Sequence, residues 1–458
     1  MTASHAKIAV YWDESFLWGL IAYRTFTALG IDLDLLSARD IREGGLDGGA
    51  YDVLFVPGGW ASDKYAALGD EGAAAVRRFV EGGGGYLGFC GGAGLALSHD
   101  SGLGLAPFGR MPTSERLPSF SGRVALSADD SQHPMWKGLA GDEFYHAWWP
   151  GQFSLGGSAE DQHVRILARY GEPGAGAFVT DLPVVEGFDW SAWEKLYGIN
   201  LDPSRLAGEP AVVEVSVGSG RCVLSYLHFE TPCDEAGQRV LMNLVGYLAG
   251  KPAVAARAAD GAMLCEVCEG TPEAADGSQA VCMEDGSMKV EVRVAPGGLP
   301  SDAGSAADLA GEMERTAREF VAFGSRNFLW YWRSAWLLQW RRGVRGIEYS
   351  TLFGMISELA RLCRSGVEPD PGQLQKLEDL RGWTASFFRE AIELLKLERY
   401  AMARGPISPL RSDDPQIARL RETLFSTERR CGGLYRDIIV ALDGLLAPML
   451  RRELAARE

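Results

Sequence analysis

The chain has 458 residues, 47% of them apolar and 23% charged, with 57 glycines and a formal charge of −16. That length favours two or three domains with ample cores, so disorder is not the default reading, and the composition excludes a collagen-like or coiled-coil chain. Residues 1–250 carry 17 Lys and Arg against 31 Asp and Glu, and residues 251–458 carry 28 against 30. An acidic first half is unsuited to nucleic acid, whose phosphates need clustered positive charge. No apolar run is long enough to cross a bilayer. Met1 to Trp12 lacks a basic start before a long apolar region. Eight cysteines are too few and too scattered for a disulfide framework. Together these readings predict a cytoplasmic protein with no transmembrane segment.

In chain order, Lys7 to Tyr11 reads as a strand, Leu17 to Leu29 as a helix and Tyr51 to Val56 as a buried strand. Glu71 to Val80 reads as a helix ending at the glycine run Gly82 to Gly85, and Tyr86 to Phe89 as a third strand. The small-residue stretch Gly91 to Leu97 opens a helix packed close to the sheet. Further strands are expected at Val164 to Ala168, Ala211 to Val217 and Cys222 to Leu227, with a helix from Asp234 to Leu248. Strands alternating with helices predict an α/β fold with a mostly parallel sheet. The texture changes at Gly250, Lys251 and Pro252. Residues 251–304 read as a linker with one short β element at Met288 to Ala295, and residues 305–458 as a helical domain of four or five helices. Ser305 with Asp308 has capping-box spacing, and Asp370-Pro371 and Asp414-Pro415 each set an N-cap before a proline.

The stretch Gly82 to Leu97, GGGGYLGFCGGAGLAL, carries the strongest chemical signal. A nucleophile between a buried strand and a helix sits in a strained turn whose neighbours must be small, and Gly88, Gly91 and Gly92 flank Cys90 in that way. The helix start beside it favours thiolate over thiol. His228 and Glu230 follow another strand, and alternate residues leaving a strand point the same way, so Glu230 can orient the ring that His228 presents. In Val56-Pro57-Gly58-Gly59-Trp60 the glycines leave backbone N–H groups free for an oxyanion. Each piece alone has a bland reading: a buried cysteine, a strand-end histidine, an ordinary turn.

These residues resemble the class I glutamine amidotransferase-like superfamily over residues 1 to about 250, and within it the domain named for the N-terminal region of biotin–protein ligase. The resemblance rests on YDVLFVPGGW, GGGYLGFCGGAG and RCVLSYLHFETP, with YHAWWPGQF in support. It implies a flavodoxin-like sheet with a nucleophile elbow, Cys90 as nucleophile, His228 as base, Glu230 as its orienter, and Gly58 or Gly59 with Gly91 near the oxyanion. Trp60 and Trp148 are candidate substrate contacts. Glutamine-hydrolysing members usually carry glutamine four positions after the cysteine, where this chain has Gly94. In the intracellular-protease branch a histidine follows the nucleophile, where this chain has Gly91. No GRGRxGR-like segment for biotinyl-adenylate is present, so biotin ligation is not expected.

Cys265, Cys268 and Cys282 have half the spacing of a zinc ribbon, with Cys233, Cys363 or Cys431 needed as a fourth ligand; ordinary cysteines are the favoured reading, and neither metal nor cofactor is expected. In Phe320 to Arg345, Phe328, Trp332, Trp336 and Trp340 recur every four residues among five arginines, which predicts one aromatic helix stripe packed in the bundle rather than a membrane face. Trp148, Trp149, Trp190 and Trp193 either line a pocket beside Cys90 or fill the core.

The sequence therefore predicts a cysteine-dependent amidase or hydrolase acting on a small molecule. The alternative is a non-catalytic ligand-binding or regulatory module, with the helical half making contacts to a protein partner or a second copy. Ammonia transfer would need a synthetase from another chain, since residues 251–458 hold no GxxxxGK[ST] phosphate loop.

Overall fold

The computed structural model describes residues 5–157, 163–254, 305–334, 336–405, 407–408, 412–426 and 432–457. The first half begins with β1 (Lys7–Tyr11), α1 (Phe16–Ala28), β2 (Asp32–Leu36), α2 (Ala38–Arg42), β3 (Val53–Val56), α3 (Ala61–Glu81), β4 (Gly85–Phe89) and α4 (Gly91–Ala96). It continues through β5 (Gly109–Arg110), β6 (Phe120–Ala128), β7 (Phe144–Trp148), β8 (Phe153–Ser154), β9 (Val164–Pro173), β10 (Phe178–Val179) and β11 (Leu182–Pro183). It ends with α5 (Trp190–Tyr197), β12 (Pro210–Val217), β13 (Gly220–Ser225) and α6 (Glu235–Ala249).

Five strands run parallel in the order β2-β1-β3-β4-β13, the flavodoxin-like order. From β13 the sheet continues antiparallel through β12, β9, β6, β10 and β11, with β7 also on β6. Every residue of β3 and β4 is buried, which is why VLFV and GYLGF read as unbroken runs rather than alternating ones. In such a sheet the ligand crevice lies beyond the carboxyl ends of the parallel strands. The loops after β1, β3, β4 and β13 all leave at that end.

The second half contains α7 (Ala306–Arg326), the hairpin β14 (Trp330–Ser334) and β15 (Leu337–Trp340), α8 (Gly346–Arg364), α9 (Leu374–Met402), α10 (Pro415–Phe425) and α11 (Gly433–Ala455). Ser305 and Asp308 cap α7 reciprocally, and Asp414 caps α10 ahead of Pro415. The expected aromatic helix stripe is overturned. The helix ends at Arg326, and Trp332, Trp336 and Trp340 belong to the hairpin or its turn. Four-residue spacing is also an even spacing, so it suits a strand's period of two as well as a helix turn. Trp336 takes a left-handed φ of 71° at the reversal.

This region clasps the first half. The Trp12 indole N–H donates to Asp443 (2.9 Å), the Tyr23 hydroxyl to Glu453 (2.6 Å), and Arg436 makes paired bonds to Glu14 (2.6 and 2.8 Å). Gln339 of β15 donates to the Thr180 carbonyl (2.6 Å) and accepts from the Ser121 hydroxyl (3.0 Å). Met288 to Ala295 and Cys265, Cys268, Cys282 and Cys431 lie outside the described residues. No helix among the described residues is long and apolar enough to cross a membrane.

Candidate active site

Cys90 stands between β4 and α4 with φ 50° and ψ −105°, a left-handed backbone that a non-glycine residue adopts only under constraint. Two bonds hold it. Its N–H donates to the Ser225 carbonyl (2.8 Å) at the end of β13, and its carbonyl accepts from the Gly94 N–H (2.9 Å). The elbow presses directly on the end of β3. A Cβ on Gly91 would lie 2.0 Å from the Gly59 carbonyl oxygen, and one on Gly92 would lie 1.9 Å from that of Val56. Gly59 itself has φ 117°, and a Cβ there would meet the Glu14 carbonyl at 2.5 Å. The glycines read from sequence as an oxyanion loop thus lie against the elbow.

His228 and Glu230 leave β13, the neighbour of β4, and both are fully buried. Nδ1 of His228 lies 2.7 Å from Glu230 Oε1, which turns Nε2 toward the sulfur of half-buried Cys90. No group among the described residues meets Nε2 in ordinary hydrogen-bond geometry. Burial alone disfavours the imidazolium. The Glu230 charge, the neighbouring Cys90 sulfur and the bond to Glu230 outweigh it and push His228 up to about 10. The ring is stacked on Trp18 of α1, with centroids 4.4 Å apart, and the same indole lies over Gly58. Trp18 meets Trp149 edge-on at 6.4 Å, and Trp149 stacks on Trp340 of β15 at 4.9 Å. An aromatic wall from both halves therefore covers the histidine.

Other sequence candidates sit farther out. Trp60, at the start of α3, is 44% exposed. Trp148 is buried, donates to the Thr231 hydroxyl (3.2 Å) and stacks on His146, so it backs Trp149 rather than facing open space. Trp190 and Trp193 pack on Phe188, and Trp193 also on Tyr197, as a separate cluster. Cys233 is disulfide-bonded and Cys363 is buried in α8. Among the described residues no group of three or more His, Cys, Asp and Glu is arranged to hold a metal.

Lys64 went unflagged in the sequence. It is wholly buried in α3, and its ammonium donates to the Ser15 hydroxyl (2.5 Å) and the Asp13 carbonyl (3.3 Å), behind Gly59. Burial pulls it down to about 7, against the opposing charges of Glu14, Asp13, Asp443 and Cys90. Burial likewise pushes Asp443 up to about 7. A lysine whose folded pKa lies below its unfolded value of about 10.4 makes stability rise with pH between those two values. Lys64→Met is expected to remove that contribution and so lower the slope of urea unfolding free energy between pH 7 and pH 9; an unchanged slope would rule Lys64 out as a source.

No family model matches the chain, and no curated protein matches it. Solved structures resemble about half of it. A Thermoplasma acidophilum protein assigned as one of the subunits of GMP synthase is 16% identical over 54% of this chain and 96% of its own, with a TM-score of 0.35. A cytoplasmic protein of Salmonella typhimurium is 11% identical over 53% of this chain and 99% of its own, at 0.33. A β-galactosidase of G. stearothermophilus is 14% identical over 55% of this chain, at 0.32, and this chain spans only 31% of that enzyme.

Proposed function

We propose that the Cys90 elbow is the active site of a cysteine-dependent amidase or related hydrolase of the glutamine amidotransferase-like type. The observation that carries the reading is the strained Cys90 beside a buried His228–Glu230 pair. In this reading the imidazolium carries the proton that the thiol gives up. The sulfur attacks the carbonyl carbon, forming a C–S bond as the carbonyl electron pair moves onto oxygen. Backbone N–H groups at Gly58, Gly59 and Gly91 meet that oxyanion. Collapse breaks the C–N bond, and Nε2 of His228 gives its proton to the departing nitrogen. Water, losing a proton to the same nitrogen of His228, then attacks the thioester and breaks the C–S bond. Glu230 holds the ring throughout. Residues 1–250 would perform this chemistry, and the helical residues 305–458 would close over it through Trp340. With Gly94 where glutamine-hydrolysing relatives carry glutamine, a different amide is the favoured substrate.

The test is the rate of Cys90 alkylation by iodoacetamide between pH 6 and 9, read by mass spectrometry, in the parent and in His228→Ala. The expected result is rapid modification well below the ordinary thiol range of about 8.5, slowed at least about tenfold in the variant. Slow modification that ignores His228 would overturn the amidase reading and leave a non-catalytic fold.

A further inference from the structure

The turn from β1 into α1, Trp12 to Phe16, supports the site although no reacting atom comes from it. The Glu14 carbonyl backs Gly59, where a Cβ would lie 2.5 Å from it, and Gly59 presses in turn on Gly91 at the elbow. Trp18, in the first turn of α1, does two things. Its indole lies 2.8 Å from where a Cβ on Gly58 would sit, and its ring is stacked on His228. The turn is strained. Glu14 and Phe16 both have left-handed backbone, φ 58° and 42°, which residues other than glycine keep only where their surroundings impose it. The Ser15 hydroxyl caps no N–H of α1; it donates to the Tyr11 carbonyl (3.0 Å) and accepts from Lys64.

Much of the restraint comes from the helical half. Arg436 and Asp443 of α11 are two helical turns apart and so share a face. Arg436 makes paired bonds to the Glu14 carboxylate (2.6 and 2.8 Å), and its guanidinium lies over the Phe16 ring, 5.4 Å from the centroid. Such two-bonded pairs fix direction as well as distance. Asp443 accepts from the Trp12 indole (2.9 Å). α8 adds a packing contact: a Cβ on Gly354 would lie 2.7 Å from the Leu17 Cδ1, one residue before Trp18. Trp12, Glu14, Phe16 and Leu17 are thus each held from the far half of the chain.

We propose that Glu14 and Trp18 are positioning residues of the Cys90 site and that Arg436 of the helical half sets them. Its paired bonds fix the turn so that the Glu14 carbonyl supports Gly59 and Trp18 keeps the His228 ring against its face. The effect on reaction rests on the amidase reading; the placement of the ring does not. Residues 1–250 are then an incomplete catalyst without α11, although α11 gives no group to the chemistry.

The test reads the His228 ring by NMR and the Cys90 sulfur by iodoacetamide, both in the full chain at pH 7. The protein has six histidines, so carbon-13 labelling at their Cε1 atoms gives few signals, and His228→Ala assigns one of them. Stacking on an indole is expected to place the His228 proton upfield of its position in Trp18→Leu. Arg436→Gln and Glu14→Gln are each expected to move it most of the way to that position and to slow Cys90 alkylation at least about threefold. Combining them should go no further than either alone, since both break one pair. Arg436→Lys, which keeps a charge on Glu14, is expected to stay nearer the parent. Arg364→Gln breaks a pair to Glu314 (2.5 Å) inside the helical half and should leave the signal in place and the rate within about twofold. Should Arg436→Gln not fold, Glu14→Gln carries the comparison. A His228 signal unmoved in Arg436→Gln would overturn the proposal, as would equal movement in Arg364→Gln, which means a general loosening. A signal that moves beside a sulfur that ignores His228 would uphold the placement while the amidase reading fails. A His228-dependent sulfur indifferent to Arg436→Gln would overturn the positioning role.

Discussion

Gly92→Ala is expected to cost at least about 3 kcal/mol of folding stability, or to leave no native sheet. The new Cβ would lie 1.9 Å from the Val56 carbonyl oxygen and 2.7 Å from its carbon. Those are main-chain atoms of a fully buried strand, so no rotamer change relieves the clash. Gly94→Ala is the control, two residues on in the same helix. Its Cβ would sit 3.5 Å from the Ala61 Cβ, ordinary contact, and alanine replaces glycine inside a helix. That change is expected to be neutral or to stabilise by up to about 1 kcal/mol. Urea unfolding followed by far-UV circular dichroism separates the two, and similar losses for both would mean that the elbow does not press on β3 as described.

Glu230→Gln is expected to be the other large effect, through pH. The folded His228 pKa of about 10 lies above its unfolded value of about 6.5. The ion pair's stabilisation is therefore fully present below about pH 6.5 and lost as pH rises through about 10. Removing the carboxylate from a buried pair leaves an uncompensated imidazolium, a loss of about 3–5 kcal/mol at pH 6 that shrinks at pH 10. The same variant should slow Cys90 alkylation, since the ring loses both its orientation and its charge. Equal destabilisation at both pH values would show that His228 is neutral in the folded protein.

The parallel half of the sheet was legible because its strands are buried on both faces and its turns are glycine-marked. Lys7 to Tyr11 matches β1 to the residue, and Cys90, His228 and Glu230 were legible because each is local to one strand end. The antiparallel extension was less so. β6 and β7 have mixed burial, and β10 and β11 are two residues each, too short for a period to show. Trp18 and Lys64 escaped notice for another reason. Trp18 read as an ordinary helix residue, and Lys64 fell outside the helix expected from Glu71 to Val80. Only packing brings them to the glycine loop and the histidine. Trp340 was read on the wrong element because even spacing satisfies two periods.

The strand order also sets when the site can assemble as the chain is made. Cys90 follows β4, but the strand that seats beside it and leads to His228 is β13, after seven strands from β5 to β11 and one more at β12. At synthesis rates of about 5–20 residues per second, the sulfur emerges on the order of ten seconds before its histidine does. Glu14 waits longer still for Arg436, and Trp12 for Asp443. On the proposed mechanism the thiol thus leaves the ribosome before the histidine that would activate it, and a nascent or truncated chain would carry an ordinary cysteine rather than a loose nucleophile.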